Sequence, residues 1–253
     1  MRLTVMTYNI RSGTYNPWGL EGVARVIERR HPDVIGVQEV NVHGYPTGPV
    51  DQPAWLAARL GLQTAFGPAR EFPEQVSAGR ASLTGNALLS RFPIQATDVR
   101  RLPPLTPTDL SRSVLGSVVH TPDGPVNVFV THWSTIRDDA AQGLHAQETV
   151  QFARSWRAEP PIVVLGDFNA LPDSPALATI RDVLADAWEL VGVPAWQRVA
   201  FPSGPPGSAT LDGWAGAIDH IFVGPGITVE TIAVDYDESR ASDHNPVVAT
   251  MRL

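Results

Sequence analysis

A chain of 253 residues, 43% of them hydrophobic, is long enough to bury a sizeable core, and one large α/β domain of this length is ordinary. The absence of cysteine excludes disulfides and thiolate metal sites. A net charge of −7, with every basic side chain an arginine, weighs against a broad nucleic-acid surface but leaves room for a local basic patch.

In chain order, Arg2 to Ile10 alternates in part and reads as a strand. Gly19 to Arg30 places Leu20, Val23 and Ile27 on one helical face, and His31-Pro32 ends that helix. Asp33 to Val40 is a buried strand, Val42 to Pro53 a loop, and Ala54 to Leu60 a short helix. Phe66 to Thr84 is polar and irregular. Asn86 to Ser90 and Ile94 to Arg100 read as strands, and Ser113 to His120 with Val126 to Thr131 as a hairpin around Pro122-Asp123-Gly124. Asp139 to Trp156 is the longest helix, Ile162 to Leu165 a buried strand and Pro175 to Leu184 a helix. Pro194 to Gly216 reads as a surface loop, and Ile218 to Val223, Ile227 to Val234 and Pro246 to Met251 as closing strands. The paired strands favour mixed sheets over a doubly wound parallel sheet, and with no linker or repeat the expectation is one domain over residues 1–253. No run approaches the ~18 apolar residues that span a bilayer, and the N-terminus carries no secretory signature. A soluble cytoplasmic protein with no integral membrane association is expected.

Chemistry-bearing residues gather at the ends of the apolar strands. The segments are Thr7-Tyr8-Asn9-Ile10, Val37-Gln38-Glu39-Val40, Thr131-His132-Trp133, Gly166-Asp167-Phe168-Asn169 and Ser242-Asp243-His244-Asn245-Pro246. A sixth, Ile218-Asp219-His220-Ile221-Phe222, puts an acid inside a strand, where it is costly unless paired. Carboxylates and amides are hard oxygen ligands, so the set suits Mg²⁺ or Mn²⁺ better than zinc. Acids and two histidines around such an ion meet the needs of phosphoryl transfer: neutralised phosphate, positioned water and stabilised oxygen charge.

The order of these segments, with Gly85-Asn86-Ala87-Leu88-Leu89-Ser90-Arg91 between the second and third, resembles the endonuclease/exonuclease/phosphatase family from Thr7 to Pro246. That family includes pancreatic deoxyribonuclease, abasic-site endonucleases, neutral sphingomyelinases and inositol-phosphate phosphatases. The resemblance implies an α/β fold of four layers, two mixed sheets face to face with helices outside. It implies metal-dependent hydrolysis of a phosphoester by activated water. By the same resemblance Asn9, Glu39 and Asp243 stand on the metal side, and His132, Asp167, Asn169, Asp219 and His244 form the catalytic set. Asp219 would orient His244, His132 would assist the leaving group, and Asn86 is an amide near the site. The expectation is that Asp167 orients the water while His244 stabilises the transition state.

Taken singly, each motif has a plainer reading: a strand-end carboxylate at Glu39, a turn at Asn9, an Asx turn at Asp167-Phe168-Asn169, a turn before a strand at Asp243 to Pro246. Only the ordered set carries the argument. His220, next to Asp219 in a strand, should face the other way and be structural. Asp138-Asp139 reads as a helix start, and His31, His43, His120 and His145 as surface or packing residues. Arg70, Arg80, Arg112 and Arg137 flank the site, and Arg112 is the first choice for an extra phosphate clamp, with a solvated surface arginine an equal reading. Trp18, Trp133, Trp196 and Trp214 read first as loop packing. Trp133, standing where the family commonly has leucine, is also expected to line a wall of the substrate pocket.

Within such a family, specificity lies in loops on a shared core. Val126 to His132 carries the histidine pattern rather than the signature of abasic-site enzymes, which argues against that activity. The acidic balance favours a small or lipid-derived phosphoester over nucleic acid as partner, with a non-specific nuclease and a non-catalytic phosphate-binding relative as alternatives. A carboxylate partner for His132 is sought in the Phe66 to Thr84 stretch, at Glu71 or Glu74.

Overall fold

Thirteen strands and five α-helices follow one another in the computed structural model, which describes residues 1–44, 47–77, 80–155, 161–204, 215–236 and 240–253, the side chains of 74–77 and 80 excepted. They are β1 (Arg2–Asn9), α1 (Gly19–Arg30), β2 (Val34–Gly44), β3 (Gly48–Asp51), α2 (Gln52–Leu60), β4 (Gln63–Ser77) and β5 (Arg80–Ser90). Next come β6 (Ile94–Leu102), β7 (Arg112–Thr121), β8 (Gly124–His132), α3 (Asp139–Ser155), β9 (Ile162–Asp167) and α4 (Pro175–Arg181). The chain closes with β10 (Ala185–Asp186), α5 (Ala187–Val191), β11 (Asp219–Val223), β12 (Thr228–Val234) and β13 (Val247–Arg252).

The strands form two mixed sheets. One has seven strands, ordered β12-β13-β1-β2-β5-β4 with β3 added against β2; the other has six, ordered β10-β11-β9-β8-β7-β6. Within each, one parallel pair, β1 with β2 or β8 with β9, sits among antiparallel neighbours.

Period-two alternation explains how the sheets stack. Leu3 and Val5 of β1, Val34 of β2 and Leu88 of β5 share one apolar cluster with Val128 and Val130 of β8, Val163 and Leu165 of β9, and Ile221 of β11. That cluster is the seam between the sheets. The alternate residues Met6, Tyr8, Ile35 and Val37 pack outward with Val23, Ile27 and Leu56 of α1 and α2. On the far side Val114, Phe129, Val164 and Phe222 pack with Phe152, Leu177 and Ile180 of α3 and α4. The result is helix, sheet, sheet, helix: four layers. Gly36 marks the closest approach across the seam, since a Cβ there would stand 2.0 Å from Leu165 Cδ1.

The structure corrects the sequence expectation in two places and adds elements in a third. Val42 to Pro53 is not loop: β2 runs on to Gly44, β3 follows, and α2 starts at Gln52, capped by Asp51, whose side chain accepts from Ala54 N. Phe66 to Thr84 is not irregular either. It falls in the long β4–β5 hairpin, whose register shifts between Pro68 and Arg70 and between Phe72 and Val76, so no steady alternation survives in the sequence. In the 185–191 stretch β10 and α5 appear, the helix capped by the Asp186 carboxylate accepting from Trp188 N. Among the described residues no helix is long and apolar enough to cross a membrane.

Candidate functional site

The seam between the sheets is apolar along its length and turns polar at one end. Continuing each strand's inward-facing set by two residues gives Asn9 after Val5 and Thr7, His132 after Val128 and Val130, and Asp167 after Val163 and Leu165. Read the other way along antiparallel partners, the same parity gives Asp219 before Ile221 and Asn86 before Leu88. The site is therefore the polar end of the hydrophobic seam.

Glu39 needs a distortion to join it. In the β2–β5 ladder Val37 pairs with Ala87 and Val40 with Gly85, so Gln38 and Glu39 together oppose Asn86. This bulge places Glu39 at φ +56°, a left-handed backbone that a non-glycine residue holds only at a cost. Asn169 sits at φ +49°, which asparagine tolerates better. Bulge and turn aim side chains into the site that regular strands would send elsewhere.

At the centre the Asn9 side-chain nitrogen donates to Glu39 Oε1 and to Asp167 Oδ2, each at 3.0 Å. The Asn9 side-chain oxygen accepts from Arg11 N, and Ser242 Oγ donates to the Asn9 carbonyl at 2.7 Å. Asp167 Oδ1 accepts from Asn169 N at 3.0 Å. The Asn169 amide donates to the Trp133 carbonyl, and Gln142 donates back to the Asn169 carbonyl. His244 and Asp219 are joined Nδ1 to Oδ2 at 2.9 Å, and His244 Nε2 stands 3.6 Å from Asp167 Oδ2. Phe201 covers that ring with its own centroid 4.8 Å away. Asp243, on the same turn, is ion-paired with Arg11.

Burial sets the charges. Asp167 is almost fully enclosed, and burial with the nearby Asp219 raises its carboxyl to about 7, against the opposing pull of His244, Asn9 and the Asn169 N–H. Burial alone would lower His244, but Asp219 and Asp167, the Asp219 hydrogen bond and Asp243 outweigh it and hold the ring at about 10. His132 goes the other way: burial and the positive charges of Arg112 and its neighbouring histidines push it well below the usual imidazole range. At neutral pH the site thus holds one charged histidine, one neutral histidine, and a carboxyl poised to take or give a proton.

The carboxylate sought for His132 is not Glu71, whose side chain is exposed; Glu74 lies outside the described side chains. Asp167 approaches instead, at 3.5 Å from Nε2, and Arg112 Nη1 lies 2.9 Å from both ring nitrogens. A neutral imidazole has one acceptor nitrogen, so Arg112 donates to whichever ring nitrogen lacks the proton. The Arg112 guanidinium is nearly buried, and burial draws its pKa down against the attraction of Asp167, Glu39 and Asp109.

A cleft of about 150 Å³ opens beside this cluster, lined among others by Glu39, Asn86, Arg112 and His132. Asn86 donates to the Ser113 carbonyl at 2.9 Å. The structure thus brings together Asn9, Glu39, Asn86, Arg112, His132, Asp167, Asn169, Asp219, Asp243 and His244. It does not bring Trp133 to the cleft. Trp133 is fully buried, edge-on to Phe168, and its indole donates to Thr149. The expected pocket wall is corrected by the alternation that places His220: if His132 faces the seam, its neighbour faces the helices. His220 itself is buried against Phe168 and Phe222. Trp18 and Trp196 are exposed, and Trp214 lies outside the described residues. Arg137 is exposed beside Asn169, and Arg80 lies outside the described side chains. Sequence reasoning missed Arg11, Ser242, Gln142 and Phe201. Arg11 was within reach, two residues from Asn9, and Ser242 directly precedes Asp243; Gln142 and Phe201 meet the site only through the fold.

The donor chemistry fits a hard divalent cation. Glu39 and Asp167 supply carboxylate oxygens around the Asn9 amide, with no thiolate in the chain. Ligand atoms of Asp167, Asp219 and His244 also lie within 4.8 Å of one another. There the His244 Nδ1 is already engaged by Asp219.

A family model described as "Endonuclease/Exonuclease/phosphatase family" matches residues 6–244. The chain is similar to the crystal structure of an endonuclease/exonuclease/phosphatase from Beutenbergia cavernae DSM 12333, at 28% identity and TM-score 0.81, covering 100% of this chain and 72% of that one. Two further structures share the fold at lower identity. The Bacteroides thetaiotaomicron VPI-5482 mannosyl-6-phosphatase has 20% identity and TM-score 0.75, with 99% and 100% of the two chains covered. D. rerio TDP2 complexed with single-strand DNA product has 16% identity and TM-score 0.75, with 100% and 99% covered. No curated protein matches the sequence.

Proposed function

Since the chain belongs to the endonuclease/exonuclease/phosphatase family, we propose that it hydrolyses a phosphoester with the help of Mg²⁺ or Mn²⁺, and that its substrate is a small or lipid-derived phosphoester rather than nucleic acid. The observation that carries this reading is the convergence of Asn9 on Glu39 and Asp167, 3.6 Å from a His244–Asp219 pair, at the mouth of a cleft.

Asn9, Glu39 and Asp243 would hold the cation. When bound, it neutralises phosphate charge and polarises the bond under attack. Asp167, with a carboxyl near neutrality, orients the attacking water and takes its proton; Asn169 N–H fixes one of its oxygens. His244, kept charged by Asp219, stabilises the oxygen charge that grows in the transition state. Arg112 grips a phosphate oxygen with its planar fork, and neutral His132 donates a hydrogen bond on the leaving-group side. Asn86 lines the cleft beside them.

The acidic balance of the chain and the small cleft favour a compact ester over a duplex. The deciding experiment pairs turnover of chromogenic phosphomonoesters and diesters with nicking of supercoiled plasmid, in Mg²⁺ or Mn²⁺, with EDTA and His244→Ala as controls. Metal-dependent ester turnover that vanishes in the variant supports the reading. Nicking without ester turnover replaces it with a nuclease, and folded protein that cleaves nothing leaves a phosphate-binding relative.

A further inference from the structure

The cleft is also lined by Ala69, Arg70, Phe72 and Leu110, which the proposed reaction does not use. The guanidinium carbon of Arg70 lies 4.3 Å from the centroid of the Phe72 ring, a cation–π contact that fixes where the charge stands. Among the described residues no carboxylate pairs with it. Arg2, Arg25, Arg30, Arg59, Arg91 and Arg100, by contrast, each meet an acid. Among the described residues Arg112, which is nearly buried, also meets no carboxylate within ion-pairing distance, and its Nε is buried without a hydrogen-bond partner. Two arginines thus line one cleft without an ion pair among the described residues, although Glu39 on the same lining attracts Arg112 from a longer distance.

A guanidinium fork held in place and left without an anion matches a phosphate or a carboxylate. Arg112 adjoins the catalytic cluster and is accounted for by the scissile phosphate. Arg70 needs a second anion. The cleft, about 150 Å³, is open to solvent and takes a compact group. The hydroxyls of Thr84, Ser111 and Ser113 along the same lining suit a hydroxylated group.

We propose that Arg70 and Phe72 form a second anion subsite, so that the preferred substrate is a compact phosphoester whose organic group carries a further phosphate or carboxylate. This rests on the phosphoester reading of the adjoining site.

The test measures binding and turnover separately. By titration calorimetry in Mg²⁺, the His244→Ala protein should bind fructose bisphosphate about tenfold or more tightly than fructose monophosphate, the size of one charge-assisted hydrogen bond. Adding Arg70→Ala should bring that ratio close to one, and Arg70→Lys should restore part of it. Equal affinities, a ratio indifferent to Arg70, or no binding of either compound would overturn the subsite. Turnover by the unaltered protein separates the two ideas. Binding through Arg70 with cleavage of neither ester upholds the subsite and overturns the hydrolase. Cleavage of both with equal KM does the reverse.

Discussion

Two histidine–carboxylate pairs share the strand β11, one on each face. Asp219 points into the seam and holds His244 at 2.9 Å; its neighbour His220 points toward the helices and stands 3.4 Å from Asp186. The residue types are the same and both pairs are buried. What differs is the surroundings. His244 meets a second acid, Asp167, and is held charged. His220 is walled by Phe168 and Phe222 and gives its other nitrogen to the Ala170 carbonyl at 3.3 Å, next to the Asn169 turn. The pairing of an acid with a histidine therefore says little about role; the face of the strand decides it.

The largest expected effect breaks the seam-side pair. His244→Ala should lower turnover by about 10²–10⁴ in the folded fraction, the usual weight of such a group, and should also lower stability because it leaves the buried Asp219 carboxylate without its charged partner. A folded variant with unchanged turnover would take the catalytic role from His244. Asp167→Asn should remove as much activity, and the acid limb of the pH–rate profile should go with it. An unchanged acid limb would take the base role from Asp167.

Next comes the helix-side pair. His220→Ala opens a cavity beside two phenylalanines and strands the Ala170 carbonyl, so unfolding should become easier by about 2–4 kcal/mol in denaturant titrations. Turnover of the folded fraction should stay within about tenfold. A loss as large as that of His244→Ala would show that the Asn169 turn depends on His220 for catalysis.

The two buried carboxylates sharpen the contrast through pH. Asp186 loses by burial but gains more from His220, the Trp188 N–H and Arg181, so its folded pKa lies below the ordinary carboxyl value. Its stabilisation is present above the unfolded pKa and lost as pH falls through the folded one. Asp167 is opposite: with a folded pKa of about 7, the folded state binds the extra proton between the unfolded value and 7, and stability falls as pH rises through that window. Asp186→Asn should therefore destabilise at pH 7 and cost progressively less in acid. Asp167→Asn should stabilise at pH 7, by roughly 1 kcal/mol or ~2–4 °C, and less in acid. Thermal melts across pH 3–8 read both signs at once, and the same sign for both would refute the assignment.

Strands and helices with steady periodicity were legible in the sequence: β1, α1, β9 and the β7–β8 hairpin stand close to where alternation puts them. The β4–β5 hairpin was not, because its two register shifts erase the alternation that marks a strand. At the site, Asp219 and His220 were separable by parity, and the same parity at His132 and Trp133 would have sent the tryptophan to the core. Glu39 was legible only as a type of residue, since its direction depends on a bulge opposite Asn86.

The sequence by itself determined the apolar seam, because alternation is local, and it determined which polar residues end each strand. It also determined the oxygen-rich donor set and the acidic balance, which are matters of composition. Only the tertiary structure decided that Asn9 meets Asp167 across 158 positions, that Arg112 and Asp167 rather than Glu71 meet His132, and that Arg70 shares its cleft. Those outcomes arise where two sheets pack face to face. Charge and burial are set there by neighbours from distant strands, and no local pattern records how those strands meet.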